Sequence, residues 1–358
     1  MNLTDHRKGK GQIGTVDSIY KLRDWIDYDK LYNSQLSYNP NAISFLEKHP
    51  DKIKWNYLTL NPNAIPILEQ NLNKINWYGL SLNQNAIHLL EKNMDKIDWH
   101  GNPNASRSWI SLSLNPNAIC ILEKNPDKIN WEYLSSNPNA IHILEKNPDK
   151  INWVSLSENP NAIRILEQNM DKINWMYLSK NPNAIHILEK NLDKVYWSSL
   201  SRNPNAIHIL EQNMDKINWM YLSQNKNAEH ILKQNVDKID WVSFSRITND
   251  IPFLEKHLDK VYWNSLSENP HAIPLLEKHP DKIKWIYLSL NPNAVHLLEN
   301  NVDNICWNWF SKNPNIFELD YGFLKGRMDI IREELMMKAW NPTRVNKWIE
   351  AGLDMEDF

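Results

Sequence analysis

Asn181-Pro182-Asn183-Ala184-Ile185-His186-Ile187-Leu188-Glu189-Lys190-Asn191-Leu192-Asp193-Lys194-Val195-Tyr196-Trp197 decides the fold, because the chain repeats it almost word for word. Tryptophan returns at Trp131, Trp153, Trp175, Trp197, Trp219, Trp241, Trp263, Trp285 and Trp307, always 22 residues apart. Going backward, Trp109, Trp77 and Trp55 open units of the same form, and Asn33 stands where a further Trp is expected, which makes 13 units. A chain whose units copy their neighbours builds a stack in which each unit touches mainly the one before and the one after.

Within the unit Asn152 to Ile173, Asn152 is a good cap for a short helix that carries Trp153 and Leu156 on one face. Asn159 reads as the cap of a second helix, with Pro160 at its first position and Asn169 closing it in the left-handed conformation. On that helix Ala162, Ile163, Ile165 and Leu166 share one arc while Arg164, Glu167 and Gln168 take the other. Helices this short are not stable alone in water, so stacking is obligatory. The expectation is an all-α fold: an elongated α-solenoid of about 13 two-helix repeats.

The phase breaks once, between Trp77 and Trp109, where Trp99 starts a unit that fails; residues 99 to 108 read as a 10-residue insertion, 109 minus 99. Repeats therefore span 29 to 320. Residues 1 to 28 are expected to form a mobile arm and an amphipathic capping helix carrying Val16, Ile19, Tyr20, Leu22, Trp25 and Ile26. Residues 321 to 358 are expected to cap the other end with a helix whose face is Leu324, Met328, Ile331 and Leu335, followed by one that starts at Asn341-Pro342-Thr343.

Composition narrows the function classes. A net charge of −3 gives no bulk attraction to nucleic acid or anionic lipid, and the Asp-Lys and Glu columns of the repeat largely cancel. Cys120 and Cys306 lie far apart, which argues against a disulfide framework. With no long apolar run and no apolar leader after Met1, the chain reads as an intracellular protein without a membrane span. Gly9-Lys10-Gly11-Gln12-Ile13-Gly14-Thr15 lacks the order of a phosphate loop, and no zinc-protease, thiol-redox or nucleophile-elbow signature occurs. The chain reads as a non-enzyme with no cofactor. Histidines at 88, 142, 186, 208, 230 and 296 recur at one position of the unit, interrupted by Cys120, Arg164, Pro252 and Pro274; even in adjacent units they are ~9 Å apart at helix spacing, too far to share one metal ion.

Because equal positions form columns, shared residues mark packing and exceptions mark display. The second position after Trp alternates Ser111, Tyr133, Ser155, Tyr177, Ser199, Tyr221, Ser243, so Tyr133, Tyr177 and Tyr221 are candidate partner-binding residues. Arg107 in the insertion is another. The third candidate region is irregular: Lys226 replaces Pro, Glu229 replaces Ile, and Ile247-Thr248-Asn249-Asp250 replaces Asn-Pro-Asn-Ala. There Glu229 must either find a partner such as Lys233 or loosen the stack.

The unit, as quoted above for Asn181 to Trp197, resembles a tandem repeat of giant DNA viruses, of the mimivirus and iridovirus kind. The tail is similar too, in Met328-Asp329-Ile330-Ile331-Arg332-Glu333-Glu334-Leu335-Met336-Met337-Lys338-Ala339, Asn341-Pro342-Thr343-Arg344 and Gly352-Leu353-Asp354. The resemblance implies a viral source and the host cytoplasm, and it brings no catalytic residue. The expected function is a scaffold that binds a host or viral protein; a structural or assembly part of the virion is the alternative, and a nucleic-acid-binding solenoid is the least favoured.

Overall fold

The structure is a computed structural model that describes residues 19–97, 99 and 112–350. One coil of the stack is represented by Trp153 to Asn174. A helix, Trp153–Glu158, is capped by Asn152, whose side chain accepts from the Ser155 N–H at 3.0 Å. An Asn-Pro-Asn corner follows, then the helix Ile163–Glu167 and a 3-10 turn, Met170–Lys172. Successive coils repeat this path, and the all-α solenoid read from the period is the fold observed.

The Ile helix begins later than the capping pattern suggests. Asn159 does not start it, because its carboxamide oxygen accepts from the Asn161 N–H and closes a separate turn. In some units Pro-Asn-Ala is itself one 3-10 turn, as in Pro40–Ala42 and Pro292–Ala294. Asn169 is not left-handed either, with φ −138°; it ends the helix by donating its side-chain N–H to the Ile165 carbonyl at 2.9 Å.

The core is a narrow column in which Leu156, Ala162 and Leu166 are fully buried and Ile173 nearly so, with the same residues buried in unit after unit. Trp153 is only half-buried, and the Lys172 ammonium sits 4.7 Å from its ring centre. Such a contact contributes ~0.5–1 kcal/mol at an exposed site.

Polar ladders run beside this column. Asn159 is 1% exposed, and its Nδ2 donates to the carbonyls of Ser135 and Asn137 in the previous coil, both at 3.0 Å. Asn161 Nδ2 donates to the Pro138 carbonyl at 2.9 Å. Ser157 Oγ donates to the Trp153 carbonyl at 2.7 Å and accepts from the Asn174 N–H at 3.0 Å. A short corner has carbonyls that no helix or sheet can satisfy, and a buried polar group must be paired. Asn meets the need because one carboxamide both shapes its own corner and bonds the corner behind it.

The ladder also reveals the insertion. Asn115 Nδ2 donates to Ser81 O at 2.9 Å and Asn83 O at 3.4 Å, so partners usually 22 residues apart are here 32 apart. The 10 extra residues leave the ladder unbroken. Trp99 packs against the core, whereas Arg107 lies outside the described residues.

The ends are where the structure departs from the expectation of an open rod. Tyr20–Leu22 is a strand, β1, not part of a helix, and it pairs antiparallel with β2, Phe317–Leu319, in the register Tyr20↔Leu319, Lys21↔Glu318, Leu22↔Phe317. Across this seam every ladder continues. The Tyr32 N–H donates to Ser311 Oγ at 2.9 Å, Asn39 Nδ2 to Asn313 O at 3.0 Å and Asn41 Nδ2 to Pro314 O at 3.1 Å. Lys30 lies over Trp307 as Lys172 lies over Trp153, and Trp25 stacks on Phe310. Arg23 locks the joint, donating to the Asn315 carbonyl and pairing with Glu318, both at 2.9 Å. The first unit thus docks on the last as any unit docks on its predecessor, and the solenoid is a closed ring.

Closing 13 units asks each to turn about 28°, 360° divided by 13. At ~9 Å between packed helices the circumference is ~120 Å, a ring on the order of 40 Å across. Neighbouring Trp helices and Asn-Pro-Asn corners approach closely enough for single Asn and Ser side chains to span them. Neighbouring Ile helices are instead bridged by long side chains, as in His142–Glu123 and His186–Glu167. A stack tighter on one edge curves toward that edge, so the Trp helices form the inner wall.

Beyond the ring, Tyr321–Ala339 and Pro342–Glu350 are helices. The face expected to cap the stack does not, since Met328, Ile331 and Leu335 are all exposed. With the ring closed on itself there is no open end to cover. Among the described residues no helix is long and apolar enough to cross a membrane.

Candidate functional site

The wall of Trp helices carries the exposed residues that differ from unit to unit. Each Trp helix buries its Leu and Ser and presents the first, second and fifth positions after Trp. The first position gives Val154, Met176, Met220, Val242 and Ile286, all exposed, with Met220 and Ile286 at 57%. These side chains contribute nothing to the core. Their presence on the curved-in face is an apolar display that solubility would not select.

Tyr133, Tyr177 and Tyr221 stand on this wall at alternate units, each half-buried. Burial, then the Glu132 carboxylate and Tyr78, hold the Tyr133 phenol above its ordinary value. The other two carry cations: Lys180 Nζ lies 4.7 Å from the Tyr177 ring centre and the Arg202 guanidinium 4.5 Å from that of Tyr221. Arg202 Nη2 also donates to Gln224 Oε1 at 2.7 Å. A groove of ≈ 420 Å³ joins these units, lined by Met176, Lys180, Tyr196, Arg202 and Tyr221 among others. Of the Ser partners in the alternation, Ser199 is buried while Ser155 and Ser243 are half-buried, so small and large residues interleave along the wall.

The irregular stretch is a fault in the Asn ladder. Ile247 occupies the Asn place, the helix Trp241–Ile247 runs one residue longer than Trp153–Glu158, and Thr248 takes over the corner by accepting from the Asp250 N–H at 3.1 Å. Asn269 then bonds Ser245 O and Thr248 O, but among the described residues no side chain bonds the carbonyls of Ser223 and Asn225. A cavity of ≈ 150 Å³ opens there, lined by Asn225, exposed Lys226, Glu229, Phe244, Ile247 and His271 among others. The Ile position that Glu229 fills is half-buried in most units, not buried as the pattern implied. Glu229 accepts from Thr248 Oγ1 at 3.0 Å and faces Lys233 at 3.6 Å. Lys233 pairs with Asp250, which raises the lysine and holds the aspartate below its ordinary value.

The histidine column is organised in a way the spacing did not suggest. Each His reaches the Glu of the preceding unit, for example His88 Nε2 to Glu69 at 2.8 Å and His142 to Glu123 at 2.8 Å. The signal was present as a constant 19-residue offset from Glu to His. Cys120 and Cys306 are free thiols. Among the described residues no three His, Cys, Asp or Glu side chains come together as a metal site.

No known family, curated protein or solved structure matches this chain.

Proposed function

We propose that this chain is a non-catalytic ring scaffold that holds a protein partner against its wall of Trp helices. One observation carries the reading: Tyr177, Tyr221, Met176 and Met220 are displayed together on one face while every residue shared by all units is spent on packing or ladders. Tyr and Met are favoured where protein surfaces meet, since they supply large contact area at small conformational cost. The viral adaptor role follows from the resemblance of the repeat and the tail, so the test belongs in infected cells. A photo-crosslinking residue at Met220 is expected to trap a defined partner, and the same residue at His208, on the Ile helices, is not. Trapping at 208 alone, or unchanged trapping when Tyr133, Tyr177 and Tyr221 become Ser, overturns the proposal.

A further inference from the structure

We infer that the groove between the units opened by Trp175 and Trp219 takes a short acidic segment of a protein, an extended stretch with two carboxylates separated by one residue. The inference rests on the scaffold reading and names the partner's chemistry.

The groove holds two cations, Lys180 and Arg202, on neighbouring units. Neither has a carboxylate within ion-pair distance among the described residues; Arg202 is bonded to the neutral Gln224, and both lie over tyrosine rings. Many lysines of this chain have no carboxylate within that distance; these two cations are set apart by lining one groove from neighbouring units. The lysines of the Asp-Lys pairs lie on Trp rings or beside Asp, as Lys52 beside Asp29 and Lys260 beside Asp237, and Arg246, farther along the same column, is paired with Glu268. Lys180 and Arg202 are therefore held in place by rings with their charge uncompensated, and the groove offers N–H donors where an anion can reach them.

The column decides how large that anion is. Its successive residues are Glu158, Lys180, Arg202, Gln224, Arg246 and Glu268, so the free positive charge is two units wide and bounded on either side by an acid or a neutral amide. A nucleic acid needs a continuous run of cations along its backbone. Two cations one unit apart, ~8–10 Å at helix spacing, are within reach of two carboxylates two residues apart on one face of an extended strand, ~7 Å, since the long Lys and Arg side chains can lean together. Around them Met176 and Tyr196 are exposed, and these suit apolar side chains that alternate with the acids.

The probe is an acetylated, amidated peptide, Leu-Glu-Leu-Glu-Leu, titrated calorimetrically into the full chain, beside its Gln-for-Glu analogue and a single-stranded RNA decamer. The expected results are binding that weakens at least tenfold for the Gln analogue, weakens with added salt, and is lost in the Lys180→Glu/Arg202→Glu variant while that variant keeps its melting temperature. Lys180→Arg should retain it. Equal binding of the Glu and Gln peptides, survival of binding in the charge-reversed variant, or tighter binding of the RNA each overturns the inference. If the peptide fails yet the Met220 crosslink to a partner persists, the acidic segment is wrong and the scaffold stands.

Discussion

At the scale of single residues, asparagine holds this protein together. The sequence shows Asn as a cap, and that role is real for Asn152, Asn130 and Asn174. What no single unit can show is the second bond, because Asn159 reaches the coil behind it through space. Replacing Asn159 by Ala strands the Ser135 carbonyl, at a cost of about 1–3 kcal/mol for one buried group left unpaired. Denaturant unfolding would register it, and a loss below about 0.5 kcal/mol, typical of a surface site, would show the ladder to be ornamental. Asp250 gives a pH-dependent case. Its bond to Lys233 depresses its pKa below 3.8, so it adds stability that is present above that value and is lost as pH falls through the folded pKa. Melting temperatures of the protein and of Asp250→Asn should differ at neutral pH and converge in acid below pH 3.8. A gap that stays constant across that range would rule out the ion pair as its cause.

At the scale of elements, helix existence was legible and helix boundaries were not. The Ile arc from Ile163 to Leu166 placed the helix correctly, but the cap pattern began it at Asn159, since the same Asn-Pro-Asn letters serve a capped helix and a closed corner equally well. The break at 99 was readable as arithmetic, and because the ladder bridges it the 10 inserted residues are expected to be dispensable. Deleting residues 99–108 leaves the same sequence as deleting 100–109, with one Trp following Asp98, and restores the 22-residue spacing. That variant should fold with a melting temperature within a few degrees of the parent. Aggregation or a large loss would mean that the inserted residues themselves support the joint between Asn83 and Asn115.

At the scale of the whole molecule, closure was hidden because β1 precedes the repeats, and Phe317 and Leu319 of β2 stand where other units have the Ile residues of a helix. One clue did exist. The array opens on the end of a unit, Asp27-Tyr28-Asp29-Lys30-Leu31, and closes on the start of one, Trp307 to Asn315, and the two halves complete a single coil. A linear stack tolerates the loss of an internal repeat, because stability is nearly a sum over units. A ring of 13 does not, for 12 units must each turn 30° in place of about 28°, 360° divided by 12 and by 13. Removing residues 153–174 should therefore either part β1 from β2, seen as a larger radius in solution scattering, or strain every coil and lower the melting temperature far more than Asn159→Ala does. A compact and equally stable product would contradict the closed ring.

Seam and interior being bonded alike, the position of the chain's beginning within the ring is arbitrary. A gene that joins residue 319 to residue 20 by a short linker and opens the backbone instead at an exposed turn such as Asp149-Lys150 would encode the same circle with a different starting point. By the same reasoning the ring has no terminal repeat from which to fray, and unravelling must begin by rupturing a joint. The fault beside Ile247, where the ladder skips a rung, is the place that the structure leaves weakest for that first rupture.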